Sequence, residues 1–295
     1  MDKLTQMRTF VTVVQTGSFT QAALSLSISS QLASKYVSAL ETALGVRLLA
    51  RTTRRVHLTE AGERYLPKAR HILDELTALE DELSGLQTHA RGTLRISAPV
   101  SFAVSQMGKL ITDFQAQHPA ISVDLQLNDR KVNIVEEGFD VALRVGTLED
   151  SSLIARKITP ITMVICASPD YLSRYGEPME WDELKQHRVL RYSYTTTEPR
   201  LIADNDGALV CNNGDFLTQS AVAGAGIVIQ PSFIVEGAIR CNALKAILTH
   251  CAPPPLGLYA LYAHRTLMTS KLRAFIDFIS DYYGDPPYWE QGLYK

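Results

Sequence analysis

Leu4, Met7, Phe10, Val11 and Val14 recur at spacings of three and four, the mark of one apolar helix face, and Gly17 ends the run. Ser18-Phe19-Thr20-Gln21 follows, with serine and glutamine spaced to cap the free N–H groups of a new helix. That helix is short. Its Ala22-Ala23 pair permits close approach to a neighbour, and Ser27-Ile28-Ser29 then interrupts the pattern with Ser29 placed to cap a third helix. In the third helix Ala33, Tyr36, Val37, Leu40 and Leu44 fall in one sector, while Gln31, Ser34, Lys35 and Ser38 fall in the opposite one. Gly45 suits a left-handed helix stop. Val46 to Arg51 and Val56 to Thr59 read as two short strands of a hairpin around the tip Thr52-Thr53-Arg54-Arg55.

Thr59 is placed to cap a long helix with apolar positions at Ala69, Ile72, Leu76, Leu79, Leu83 and Leu86, alternating in steps of three and four as in a coiled-coil seam. Pro67 inside it predicts a kink or a loosened turn. A core helix of a larger bundle is the alternative, but Asp74, Glu75, Glu80, Asp81 and Glu82 make the outer face too charged to be covered all round.

Beyond a polar joint at Thr88 to Gly92 the pattern becomes α/β. Leu94, Ile96 and Ala98 alternate as a strand, Met107, Leu110, Ile111 and Phe114 repeat as a helix, and Ile121, Val123, Leu125 and Leu127 alternate again. With a short helix around Val132 to Glu137 and a strand at Phe139 to Val145, this is βαβαβ with parallel pairing. A second set starts at the apolar run Ile161 to Ala167, with Ser168-Pro169 opening a helix. It continues through Leu209 to Cys211, a helix at Phe216 to Ala223, Ile227 to Ile229 and a strand at Leu258 to Tyr262, after which the helix around Leu272, Phe275, Ile276 and Ile279 returns to the first lobe.

Charge adds what the hydrophobic pattern cannot. The 295-residue chain has a formal net charge of −2, but residues 1–59 hold seven basic side chains against two acidic ones, so a head at +5 precedes a body at −7. A basic head on an acidic body points to a nucleic-acid contact. The polar stripe of the third helix carries short hydroxyls, one amide and one ammonium, groups that reach base edges and phosphates in a major groove, although a plain solvated face has the same spelling. Positive charge at the hairpin tip suits phosphates or a minor groove. Four cysteines without a CxxC pair fit structural thiols in a reducing compartment, and seven histidines show no metal-ligand spacing. The longest near-uniform apolar stretch, Ala221 to Ile229, is too short to span a bilayer, and a cytoplasmic location is expected.

Two α/β lobes leave a cleft, and ligands of such sheets bind at the carboxyl ends of strands. Those ends offer Ser101 with Phe102, Asn128 to Arg130, Arg144, and Ser193 with Tyr194. A hydroxyl, a guanidinium and an aromatic ring would suit a small carboxylate, which arginine grips bidentately. Each residue taken singly also fits an ordinary structural role.

The ordered residues Phe10, Gly17-Ser18-Phe19, Ala22-Ala23, Leu40-Glu41, Leu44-Gly45-Val46-Arg47-Leu48-Leu49, Arg51 to Val56 and Leu58-Thr59-Glu60-Ala61-Gly62 resemble the LysR-type transcriptional regulators. Ser168-Pro169-Asp170-Tyr171-Leu172 and Gly224-Ala225-Gly226-Ile227 extend the resemblance, more loosely, to the rest of the chain. It implies an α/β chain with a winged helix-turn-helix head, a long dimerising linker helix and a two-lobed effector domain similar to periplasmic binding proteins, usually in a tetramer. The expected domains are a DNA-binding head at 1–59, a linker helix and hinge at 60–91 and an effector domain at 92–295. Its first lobe is expected at about 92–160 and 265–295 and its second at about 161–264.

Ser30, Gln31, Ser34 and Lys35 fall at the family's recognition-helix positions and Arg54 at its wing tip, while Ser101, Arg144 and Ser193 fall near its effector cleft. The implied partners are a double-stranded DNA operator, a small organic acid as effector, further copies of the chain as dimer and tetramer, and RNA polymerase, with no cofactor and no membrane. Gln230-Pro231 departs from the pattern, since an apolar residue commonly precedes that proline, and so does Cys241-Asn242-Ala243. The tail from Pro286 to Lys295 has no place in the pattern. A solute-binding protein or an enzyme on the same two-lobed body is the competing class, although GxSxG, GxxxxGK[ST] and a strand-linked GxGxxG are all missing from the sequence. A thiol sensor using Cys166 or Cys211 is a third; it requires an exposed, acidified thiol.

Overall fold

The computed structural model describes residues 2–51, 56–83, 90–148, 151–194, 209–263 and 268–291. Residues Thr52 to Arg55, the seam position Leu86, and Thr88 and His89 of the joint after it lie outside them. The chain divides into two compact units, one centred on residues up to 89 and the other on residues from 90 onward, with 133–139 and 266–270 grouped with the first.

The first unit contains α1 (Lys3–Thr16), α2 (Phe19–Ser25), α3 (Ser30–Leu44), the antiparallel pair β1 (Leu49–Arg51) and β2 (Val56–Leu58), and α4 (Glu60–Leu83). The caps are those the sequence spells. Ser18 accepts from the Gln21 N–H and Ser29 from the Leu32 N–H, while Gly17 and Gly45 close α1 and α3 in left-handed conformation. Met7, Phe10, Val11 and Val13 of α1 pack with Ala22, Val37 and Leu40 over Leu48 and Leu49. Each of these Met, Phe, Val and Leu side chains contributes about 1.5–3 kcal/mol when fully buried.

The helix α4 is continuous through Pro67. Its first turn lies so close to the hairpin that a Cβ on Gly62 would stand 2.1 Å from the Leu48 carbonyl oxygen, which leaves room only for glycine. Of the seam positions, Ala69 is buried in the head's own core together with Leu73, while Ile72 is 47% exposed.

The second unit has two five-stranded sheets. In the first lobe β3 (Gly92–Ala98) pairs in parallel with β4 (Ile121–Leu127) and β5 (Val141–Gly146), the expected βαβαβ pairing. The segment α5 (Val100–Phe102) runs through a π-helical stretch, Ala103–Met107, into α6 (Gly108–Gln117); the short α7 (Ile134–Glu137), which groups with the first unit, precedes β5 in the chain. The sheet is completed by β6 (Ile154–Ile161) and β12 (Leu256–Tyr262), in the order β4-β3-β5-β12-β6.

The second lobe contains β7 (Met163–Ala167), α8 (Pro169–Tyr175), β8 (Val189–Tyr192), β9 (Val210–Cys211), α9 (Gly214–Val222), β10 (Ile227–Pro231), α10 (Ser232–Arg240) and β11 (Lys245–Ile247). Its sheet order is β11-β7-β10-β8-β9. The final helix is α11 (Ser270–Tyr282).

Two differences from the sequence reading bear on function. The apolar run expected to begin the second lobe at Ile161 is divided at Thr162, so that β6 ends in one lobe and β7 begins in the other. The strand at 258–262 was expected in the second lobe but pairs with β5 and β6 of the first, so the chain returns before β12 rather than after it. Alternation identifies a strand, but only hydrogen-bond partners decide its sheet.

Candidate functional site

The exposed face of α3 is assembled from its N-terminus. Ser29 holds the first turn, Ser30, Gln31 and Lys35 are exposed and Ser34 is half-buried, while Ala33, Val37 and Leu40 turn inward. The expected contact residues therefore share one outward face. Arg54, the fifth, lies outside the described residues.

At the other end of α3, Glu41 is 4% exposed and fastens the helix to the hairpin. Its Oε1 accepts the backbone N–H groups of Leu48 at 2.9 Å and Leu49 at 3.1 Å, and its Oε2 accepts from Arg47 Nη1 at 2.9 Å. Desolvation pushes this carboxyl up, but the Leu49 and Leu48 N–H groups and the Arg47 guanidinium outweigh it and hold it below its ordinary value. Thr59 completes the corner: its hydroxyl donates to the Arg47 carbonyl and accepts the Gly62 N–H.

The second site lies at the carboxyl ends of strands of the second unit. Ser101, buried just after β3, donates to Asp215 Oδ2 at 2.6 Å across the two lobes. Asp129, after β4, accepts the Val100 N–H at 3.0 Å and bonds the Tyr192 hydroxyl at the end of β8. Burial pushes the Asp129 carboxyl up and the Asp215 charge adds to this, against the pull of the Val100 N–H and Arg144. The Tyr192 hydroxyl is raised too, by burial first and then by Asp129.

Arg144 Nη2 donates to Ser97 Oγ and the Arg130 carbonyl, and its Nη1 to the Leu143 carbonyl. Ser193 is exposed, in a turn after β8. Phe102 is 0% exposed and packs edge-on against Phe233, Tyr283 and Trp289, so the ring is brought to the core rather than beside Ser101.

Sequence reasoning did not single out Asp215 or Gln230 for this site. Gln230 is 3% exposed, and its Nε2 has no acceptor among the described residues. A Cβ on Gly214 would stand 2.9 Å from Gln230 Oε1 and 3.6 Å from Ser101 Oγ, which puts the three groups together at the start of α9. Asn128 Oδ1 and Thr218 Oγ1 are likewise buried without partners among the described residues. The one advance signal was the polar Gln230 where an apolar residue commonly stands; Asp215 in a helix first turn reads only as a favourable charge at a dipole.

Residues 4–63 match the model of the bacterial regulatory helix-turn-helix proteins of the lysR family, and residues 87–284 match the LysR substrate binding domain. This chain belongs to the LysR-type transcriptional regulators. An HTH-type transcriptional regulator of Xanthomonas campestris pv. campestris is 36% identical, over 92% of this chain and 82% of its own. Among solved structures of LysR-type regulators, CrgA from Neisseria meningitidis is 30% identical with a TM-score of 0.59, covering 93% of this chain and 97% of its own. The Vibrio cholerae virulence activator AphB is 30% identical with a TM-score of 0.57, covering 95% and 98%. The LysR-type head and two-lobed regulatory domain make this chain a DNA-binding transcription regulator with an effector-binding domain. No helix among the described residues is long and apolar enough to cross a membrane. Cys166 is wholly buried, and burial pushes its thiol up to about 12, the opposite of an activated thiol.

Proposed function

We propose that this LysR-type regulator reads a specific operator in the cytoplasm with Ser30, Gln31, Ser34 and Lys35 of α3 and with Arg54 of the hairpin tip. The expected domain limits at 59 and 91 are part of this reading. The observation that carries it is the outward polar face of α3, held by the Ser29 cap at one end and Glu41 at the other. The 3-4 spacing along α4 supports dimerisation through that helix and, with the family, a tetramer; RNA polymerase is a further partner in this reading. Gln31 and Ser34 can pair with base edges, so Gln31→Ala should lose about 1–3 kcal/mol on the operator and little on random duplex. Lys35→Ala should weaken both DNAs and lower the salt slope by about one. Fluorescence anisotropy across salt concentrations tests this, and an equal loss on both duplexes for Gln31→Ala refutes it.

The effector in this reading is a small organic acid that also carries hydroxyl or amino groups. Gln230 Nε2 offers a donor to a carboxylate near Arg144, whose guanidinium already donates to Ser97 and to the Leu143 and Arg130 carbonyls. Asn128 Oδ1 can take a donor from the ligand, and Asp129 and Asp215, which accept from the Val100 N–H, Tyr192 and Ser101, have lone pairs for further ones. A bare monocarboxylate would bring a further negative charge beside Asp129 and Asp215 and no donor for their remaining lone pairs. Calorimetry with benzoate and 4-hydroxybenzoate, and with acetate and glycine, compares ligands with and without such donors. Tighter binding of the bare member in each pair refutes the reading.

A further inference from the structure

The family match ends at residue 284, and the seven residues that follow bridge both lobes at the point where the lobes join. The approach is anchored on the first lobe: Thr159 Oγ1 donates to the Gly284 carbonyl at 2.7 Å, and the Tyr283 hydroxyl donates to the Gln106 carbonyl at 3.2 Å. Glu290 then occupies the corner. Its carboxylate accepts the Thr162 N–H at 2.9 Å, the Thr162 hydroxyl at 2.8 Å and the Ser232 hydroxyl at 2.7 Å. Thr162 is the single residue between β6 of one lobe and β7 of the other, and its carbonyl accepts the Ser232 N–H at 2.8 Å.

Beside it Trp289, 1% exposed, places its ring 6.2 Å from Phe102 of the first lobe and 6.3 Å from Phe233 of the second, with its indole N–H on Ser232 Oγ. Arg240 of the second lobe donates to the Gln291 carbonyl at 3.0 Å.

A hinge between two lobes rotates about the residues that cross it, so groups bound to those residues and wedged between the lobes must shear when it moves. We propose that residues 285–291 are an interlobe strap, with Glu290 and Trp289 as positioning residues that hold the lobes at one angle. The strap turns the two-way crossing into a three-way one. Ligand response then works against it, and that consequence alone rests on the effector reading above.

The test uses the full chain without ligand, so that it stands or falls apart from the identity of the effector. Hydrogen exchange would follow the Thr162 amide and the start of α10, with β3 and β4 as internal references. A pair of genetically encoded spin labels, one on each lobe, would report the interlobe distance. Glu290→Gln keeps the shape but turns half of the acceptor into a donor facing Thr162 and Ser232. It should speed exchange at Thr162 by about tenfold, leave β3 unchanged and broaden the distance distribution. Trp289→Leu should broaden it further. If Trp289→Leu loosens the whole unit, Glu290→Gln decides. An unchanged distance distribution and unchanged Thr162 exchange in Glu290→Gln would overturn the strap.

Discussion

Replacing Glu41 by alanine removes the carboxylate that hydrogen-bonds the end of α3 to the hairpin. Two buried backbone N–H groups, those of Leu48 and Leu49, lose their acceptor. An unsatisfied buried donor costs about 1–3 kcal/mol, so the pair costs about 2–6 kcal/mol. The Arg47 ion pair adds little, because Arg47 is 67% exposed and such pairs contribute at most about 1 kcal/mol. A unit of this size has a total stability on the order of 5–10 kcal/mol, so Glu41→Ala should bring the head close to unfolding. Glu41→Gln keeps one acceptor for the N–H pair and should cost only about 1–2 kcal/mol.

Because the native Glu41 carboxyl lies below its unfolded value, its stabilisation is present above the ordinary carboxylate range and is lost as pH falls through the depressed value. Glu41→Gln should therefore show a shallower loss of stability on acidification. Urea denaturation followed by far-ultraviolet circular dichroism at several pH values measures both effects. A Glu41→Ala chain within about 0.5 kcal/mol of wild type would refute the reasoning.

Gln230→Leu should stabilise the ligand-free protein. It removes a buried amide donor without an acceptor and restores an apolar side chain beside Ile234, for a gain of about 1–3 kcal/mol and a rise of roughly 2–10 °C in Tm by calorimetry; an unchanged or lower Tm contradicts it. Asp129 has the opposite pH sign to Glu41. Its native carboxyl is raised, so the cost of ionising it is absent in acid and grows as pH rises from about 4 through the raised value. Asp129→Asn should flatten that fall in stability, as read by thermal melts from acid to neutral pH, and an undiminished fall would show that another group causes it.

The local order of the head was readable because each of its devices is encoded within a few residues. Ser18 and Ser29 start helices through their hydroxyls, Gly17 and Gly45 stop them through left-handed backbone, and the 3-4 spacing chooses the face each helix buries. The parallel β3-β4-β5 pairing was readable for a similar reason, since strands joined through short helices have few ways to close.

The tertiary structure alone decided matters that depend on partners distant in sequence. Strand β12 joins the first lobe because β5 and β6 offer it edges, not because of its own alternation. Phe102 and Ser101 are adjacent, yet one faces an aromatic core and the other an aspartate 114 residues away. Glu290 reaches Thr162 across 128 residues. Short-range steric and capping preferences act on the chain wherever it lies, whereas a buried hydrogen bond between distant residues exists only after the fold has brought both groups out of water.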